Sequence, residues 1–269
     1  MEILPIVYLL LVGAGAGFLA GLLGIGGGMI MVPFMSIYLD HKGFGADVVI
    51  KVAIATSLAT ILFTSASSVR AQHARGAVRW GLVRDMAPGI VLGSLIGAQF
   101  ASSLPGGWLS LVFSVFIATL ATRMLRQKRP NPDKTLPGRA GLLGAGAVMG
   151  GLSAVLGAGG AFITTPFLVK RNVSIHEAVG TSAACGFPVA LAGTLGYIMS
   201  GWFLPMPGGT LGYVFLPGLF FVSIASIFTA PVGVRVAHST SAGKLKRFFG
   251  FMLYTLAAYM LWRAWHFGL

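Results

Sequence analysis

Gly24, Gly26, Gly27 and Gly28 fall within five positions of an apolar run, and Pro33 follows them. Glycine admits positive φ and close backbone approach, so this density breaks a helix rather than continuing one. A break frees backbone N–H groups and starts a short new helix, over Met29 to Leu39. The amino end of that helix carries partial positive charge. Free N–H groups and a helix dipole together suit a small anion. The same chemistry recurs at Gly157, Gly159 and Gly160, with Pro166 beyond and a short helix expected over Phe162 to Val169. Pro33 and Pro166 read as hinges. Four hydroxyls join the set, Thr56 and Ser57 in "ATSLA" and Thr181 and Ser182 in "GTSAA". They can donate to a bound oxyanion, or bond back to a helix carbonyl four residues earlier.

The recurrence extends along the chain. Residues 17–34 (GFLAGLLGIGGGMIMVPF) and 150–167 (GGLSAVLGAGGAFITTPF) align without gaps, with nine of eighteen positions identical. The chain therefore divides into a first membrane repeat, 1–127, a polar proline-rich linker, 128–137, and a second membrane repeat, 138–269. Gly13, Gly17, Gly21, Gly146 and Gly150 have the small-residue spacing of close helix packing, and need no other explanation.

The elements that position these residues must lie in a bilayer. Apolar types make up 56% of 269 residues, charged types 9%, and the mean hydropathy is +0.86. Soluble domains carry roughly 25% charged residues. The sequence predicts full spans over 48–69, 84–102, 108–125, 176–199, 211–234 and 246–266. The net charge of +13 comes from short loops, which reads as a topology signal and not as nucleic-acid binding. Basic loops 70–84, 123–139 and 235–247 are expected in the cytoplasm, and uncharged loops 103–108 and 200–210 outside. Equivalent loops of the two repeats then lie on opposite sides, so the repeats are inverted. The glycine-broken segments 5–39 and 141–170 must each leave and re-enter on one side, because a helix of 30 residues would be about 45 Å long and would cross. The expected fold is all-α integral membrane, each repeat a glycine-broken hairpin plus three transmembrane helices, about eight helical segments in all.

Other residues narrow the function. Asp40, Asp47, Asp85, Asp133 and Glu177 sit at span ends or in loops, so no carboxylate marks a proton relay or cation path in a span centre. His73, His176 and Glu177 read as interfacial groups. Arg70 and Arg75 can draw anions to a vestibule, though topology alone accounts for them. The single cysteine, Cys185, excludes an internal disulfide and a thiolate metal cluster, and reads as packing. No catalytic constellation, metal set or cofactor motif is present, so an enzyme is not expected.

"GFLAGLLGIGGGMIMVPFM", "GGLSAVLGAGGAFITTPFLV", "ATSLATI", "GTSAACG" and "AVRWGLVRDMAPGIVLGSLIGAQFA" resemble the TauE/SafE sulfite exporter family, also called the toluene sulfonate uptake permease family. The resemblance spans nearly the whole chain. It implies an inner-membrane transporter of sulfite, sulfonates or related organosulfur anions, the small anion and the lipid bilayer being its partners. It places substrate contacts at Gly24, Gly26, Gly27, Gly28, Thr56, Ser57, Gly157, Gly159, Gly160, Thr181 and Ser182. Ala161 stands where the first repeat has Gly28, a departure that stiffens the second turn. Members differ in substrate and direction. An anion crossing alone is pushed outward by a cytoplasm-negative potential, which favours export without a coupling ion. A channel or transporter for another small solute, sulfonate uptake, and a non-transporting scaffold are the competing readings.

Overall fold

The structure, a computed structural model, describes residues 3–23, 28–126, 135–239 and 242–267. Within them lie ten helices: α1 (Ile3–Leu23), α2 (Gly28–His41), α3 (Ala46–Ala74), α4 (Trp80–Ser103), α5 (Gly106–Arg126), α6 (Arg139–Val155), α7 (Ala161–Val169), α8 (Ile175–Gly201), α9 (Leu216–Ser239) and α10 (Ala242–Phe267). Both expected hairpins resolve into two helices each, which accounts for ten segments where about eight are expected. Strands β1 (Thr210–Leu211) and β2 (Val214–Phe215) pair antiparallel just before α9. The expected span from 211 therefore begins late. Gly209 and Gly212 hold φ of +89° and +54°, which turns the chain into a tight hairpin before the helix starts.

Among the described residues four helices, α3, α4, α5 and α8, are long and apolar enough to cross a membrane. Large apolar side chains face outward in rows, Leu92, Ile96 and Phe100 on α4 and Phe187, Leu191, Leu195 and Met199 on α8. Such rows leave water when the helices face lipid. The protein is an all-α integral membrane protein.

Helix ends follow local chemistry. Ser174 caps α8 by accepting from the Glu177 N–H, and its own hydroxyl donates to the Glu177 carboxylate. The chain leaves α3 through Gly76 at φ +68°, with the Gly76 and Ala77 N–H groups closing back on His73 and Gln72 carbonyls.

α3 and α8 form the centre. Every residue from Val49 to Ile61 on α3 is buried. The outer helices pair between the two halves of the chain. α4 packs along α6 and α1 along α9, while α5 packs on α10. On α4, Gly89, Gly93 and Gly97 abut Leu143, Ala147 and Gly151 of α6 in matching order, so the two helices run in the same direction. A Cβ at Gly93 would sit 1.9 Å from the Ala147 carbonyl oxygen. On α1, Gly13 and Gly17 abut Val222 and Ser226 of α9 in the same parallel sense.

The hairpins open at opposite ends of α3. Tyr8 on α1 stacks on Tyr38 at 5.4 Å and donates to the Phe34 carbonyl, which brings the start of α1 beside the end of α2. That end also holds Ala46, the first residue of α3, whose carbonyl accepts from Arg263. At the far end of α3, Leu136 before α6 packs with Leu168 and Val173 at the close of α7.

Candidate functional site

The second turn is built as the glycines require. α6 ends at Val155, Gly157 takes φ +60°, and Gly160 takes φ +77° immediately before α7. The Ala158 N–H bonds the Ser153 carbonyl at 3.0 Å, and the Ile163 and Thr164 N–H groups both bond the Gly160 carbonyl. Ser153 is fully buried, and its hydroxyl has no hydrogen-bond partner among the described residues. That oxygen lies 3.3 Å from where a Cβ of Gly160 would be, at the amino end of α7. The Thr164 hydroxyl lies 3.8 Å from the same Cβ position and, among the described residues, reaches the Met149 sulfur at 3.5 Å. An unspent hydroxyl and the positive end of a helix therefore share one buried spot.

Gly24, Gly26 and Gly27 lie outside the described residues. Gly28 opens α2 and touches the other turn: a Cβ there would be 2.6 Å from the Gly157 carbonyl oxygen and 2.8 Å from the Ser57 hydroxyl. Ser57 joins the two turns. Its Oγ lies 2.9 Å from the Gly28 carbonyl oxygen and 3.0 Å from that of Gly157, so one hydroxyl proton faces two acceptors. Gly159 packs its carbonyl against Gly186 of α8, where a Cβ would approach to 2.8 Å.

The other expected hydroxyls have structural partners. Thr56 donates to the Val52 carbonyl at 2.7 Å and accepts from the Phe215 N–H at 3.0 Å. Thr181 accepts from the Arg79 N–H at 3.1 Å. These are equivalent bonds, since Phe215 and Arg79 immediately precede α9 and α4. Ser182 donates to the Ala178 carbonyl and meets the Thr165 hydroxyl of α7 at 2.6 Å. Pro33 and Pro166 are each the sixth residue of their helices, α2 and α7.

Beside Ser57, between α1, α2, α3 and α9, lies a cavity of about 10 Å³, room for roughly one water molecule. Ala16, Gly17, Gly28, Met31 and Ile61 line it, together with the hydroxyl-bearing Ser57, Thr60, Thr64 and Ser226.

Charges sit at the two ends. At the Tyr8 end, Arg263, only 1% exposed, bonds the Asp40 carboxylate and the Ala46 carbonyl. Lys51, also buried, pairs with Asp47 at 2.9 Å, and Asp47 in turn accepts from the Gly106 N–H. At the opposite end, Arg79 forms a two-bond pair with Glu177, and Arg139 approaches Asp85 at 3.8 Å. Hydrogen bonding to Glu177 holds the Arg79 guanidinium above its ordinary pKa. Lys51 and Arg263 escape a reading of the sequence. The four-residue spacing of Asp47 and Lys51 is a signal for the first, but Arg263 finds Asp40 223 residues away and leaves none. Arg70, Arg75, His73 and His176 are exposed, and His73 accepts from the Trp80 indole at 3.0 Å. Cys185 is buried in the core. Among the described residues no cluster of three His, Cys, Asp or Glu is placed to hold a metal.

Comparison with known proteins gives one consistent family. The family described as "Sulfite exporter TauE/SafE" matches residues 9–260. A "Probable membrane transporter protein" of Haemophilus influenzae is 35% identical over 254 residues, covering 93% of this chain and 96% of that protein. One from Methanocaldococcus jannaschii is 24% identical over 266 residues, covering 94% of each. One from Bacillus subtilis is 29% identical over 195 residues, covering 69% of this chain and 76% of that protein. No solved structure matches the chain.

Proposed function

The chain belongs to the sulfite exporter TauE/SafE family, a family of membrane transporters and not of enzymes, and on that premise we propose that it carries sulfite or a related organosulfur anion, held mid-membrane between the paired glycine turns. The observation that carries this reading is the unpartnered Ser153 hydroxyl at the amino end of α7. A buried hydroxyl without a partner is costly, and a bound oxyanion would accept its proton along with those of the α7 N–H groups. Ser57 links Gly28 to Gly157 across the two halves, so a rocking of one half against the other changes this junction first. That coupling, the exchanged helix pairs and the opposite openings of the hairpins support two inverted repeats working by alternating access.

The end holding Arg79, Arg84 and Arg139 faces the cytoplasm on this reading, in the cell's inner membrane. An anion moving alone gains about 2.3 kcal/mol per charge per 100 mV on leaving a negative interior, which makes export the direction for carriage without a companion ion.

The test is flux of sulfite, thiosulfate, sulfate, small sulfonates and a neutral solute into liposomes holding purified protein. Saturable flux of one sulfur anion is expected. Ser153→Ala should raise its half-saturating concentration about tenfold or more, since a hydrogen bond to a charged group contributes about 1.5–3 kcal/mol. Gly160→Leu, placed at a φ that L-residues resist, should abolish it. Flux of the neutral solute alone would select the general-solute reading, and unchanged affinity in Ser153→Ala would remove the anion from this turn.

A further inference from the structure

The charges at the Tyr8 end are arranged with the cations inside and the acids toward water. The side chains of Arg263 and Lys51 are 1% and 7% exposed, whereas those of Asp40 and Asp47 are 28% and 60% exposed. Long basic side chains ordinarily do the reverse and carry their heads out to solvent. Arg263 has a structural reason for its depth. It bonds Asp40 of α2 and the Ala46 carbonyl of α3, and so clamps α10 to both. The Lys51 pair clamps nothing, because Asp47 lies one turn away on the same helix.

The lysine is also underused. An ammonium carries three N–H donors. Among the described residues one of them meets an acceptor, a carboxylate oxygen of Asp47 at 2.9 Å, and two do not. The other carboxylate oxygen of Asp47 accepts from the N–H of Gly106, the first residue of α5. The approach is tight: a Cβ on Gly106 would lie 2.8 Å from the Asp47 Cα and 2.8 Å from its carbonyl oxygen. Pro105, whose carbonyl accepts the first bond of α5, has no polar side chain to cap that helix. One carboxylate therefore sits between the positive end of a 21-residue helix and a buried ammonium. That place suits an oxyanion, and Asp47 fills it with one of the protein's own.

We propose that Lys51 and the Gly106 N–H form a second anion site, at the outer mouth on the orientation given above, which Asp47 occupies until a sulfur oxyanion displaces it. This deepens the anion-carrier reading and rests on it for the ligand. Displacement asks little of Asp47, whose half-exposed side chain already borders water. The incoming oxyanion accepts from the Gly106 N–H and from the spare donors of Lys51. Asp47 returns when the site empties, so the buried ammonium is never left without a counter-charge, which would be costly. An anion leaving the α7 turn gains a resting place near the exit, and the returning carboxylate repels it outward.

The experiment reads the thermal midpoint of the purified protein as sulfite, thiosulfate or sulfate replaces chloride at equal ionic strength. A Ser153→Ala background silences the α7 turn. Asp47→Asn keeps the shape and an oxygen for the Gly106 N–H, and removes the competing charge. It should lower the half-saturating concentration of a sulfur anion about tenfold or more, the effect of relieving roughly 1.4 kcal/mol of like-charge competition. Asp47→Ser, shorter and also neutral, should do the same. Adding Lys51→Gln to either variant should abolish the gain. Unchanged anion response in both Asp47 variants would overturn the site and leave Asp47 as a cap for α5. A gain that survives Lys51→Gln would overturn it too. Liposome flux separates the two proposals. Anion binding gained in Asp47→Asn without flux of any sulfur anion leaves the mouth site and removes the carrier reading; flux that depends on Ser153, with no change in the Asp47 variants, does the reverse.

Discussion

Thr56 and Thr181 hold the same bond in opposite halves, each accepting the N–H that starts a helix of the other half. The sequence shows both as a repeated hydroxyl pair, and repetition is what a shared structural duty and a shared ligand have in common. The partners show the structural duty, and they lie 159 and 102 residues away, beyond any local pattern. Ser57 is legible in the same limited way: its type and place are visible, its meeting with two glycine turns is not. Ser153 is less legible still, because one serine in a glycine-rich helix ordinarily bonds back to its own backbone. Thr56→Val should leave the buried Phe215 N–H without its acceptor and cost about 1–3 kcal/mol. A denaturation series in detergent measures the loss, and anion affinity should be unchanged. A large affinity loss with full stability would place Thr56 in the substrate site instead.

At the scale of elements, hydropathy places the long helices within a few residues, because an 18-residue apolar run has few alternatives in a membrane. The α9 start is the exception, since the β-hairpin ahead of it is equally apolar and only Gly209 and Gly212 betray the turn. Glycine spacing announces close packing, but not which helices meet. Gly93 and Gly144 illustrate the difference. Both lie inside helices, yet a Cβ at Gly93 strikes the α6 backbone while one at Gly144 meets nothing within 4 Å. Gly93→Ala should force α4 from α6 and destabilise by about 1–3 kcal/mol or more. Gly144→Ala should be neutral or stabilise by up to about 1 kcal/mol through helix propensity. Thermal midpoints of the two variants side by side check both, and equal losses would mean that the α4–α6 contact is looser than described.

Over the whole molecule, the distribution of arginines in the loops sorts the ends of the helices into the same two groups that the packing does. Arg79, Glu177, Arg139 and Asp85 gather at one end, and Asp40, Asp47 and Arg263 at the other. Charge bias in short loops is a property of the sequence alone, which is why this much is readable without a structure. Single cysteines at Arg75 and Phe203, both exposed, in a Cys185→Ala background should test the orientation in intact cells. An impermeant maleimide should label position 203 directly and position 75 only after permeabilisation. The opposite pattern would turn the protein over in the membrane.

The exchange of helix pairs also fixes an order of events during synthesis. The Gly13 and Gly17 face of α1 finds its seat only on Val222 and Ser226, more than two hundred residues later in translation. Until α9 leaves the ribosome, the first half has all its helices and yet lacks the neighbour that covers its opening one. α1 is thus seated on α9 only after all the helices between them have been made, and its glycine-lined face waits uncovered by that partner in the meantime.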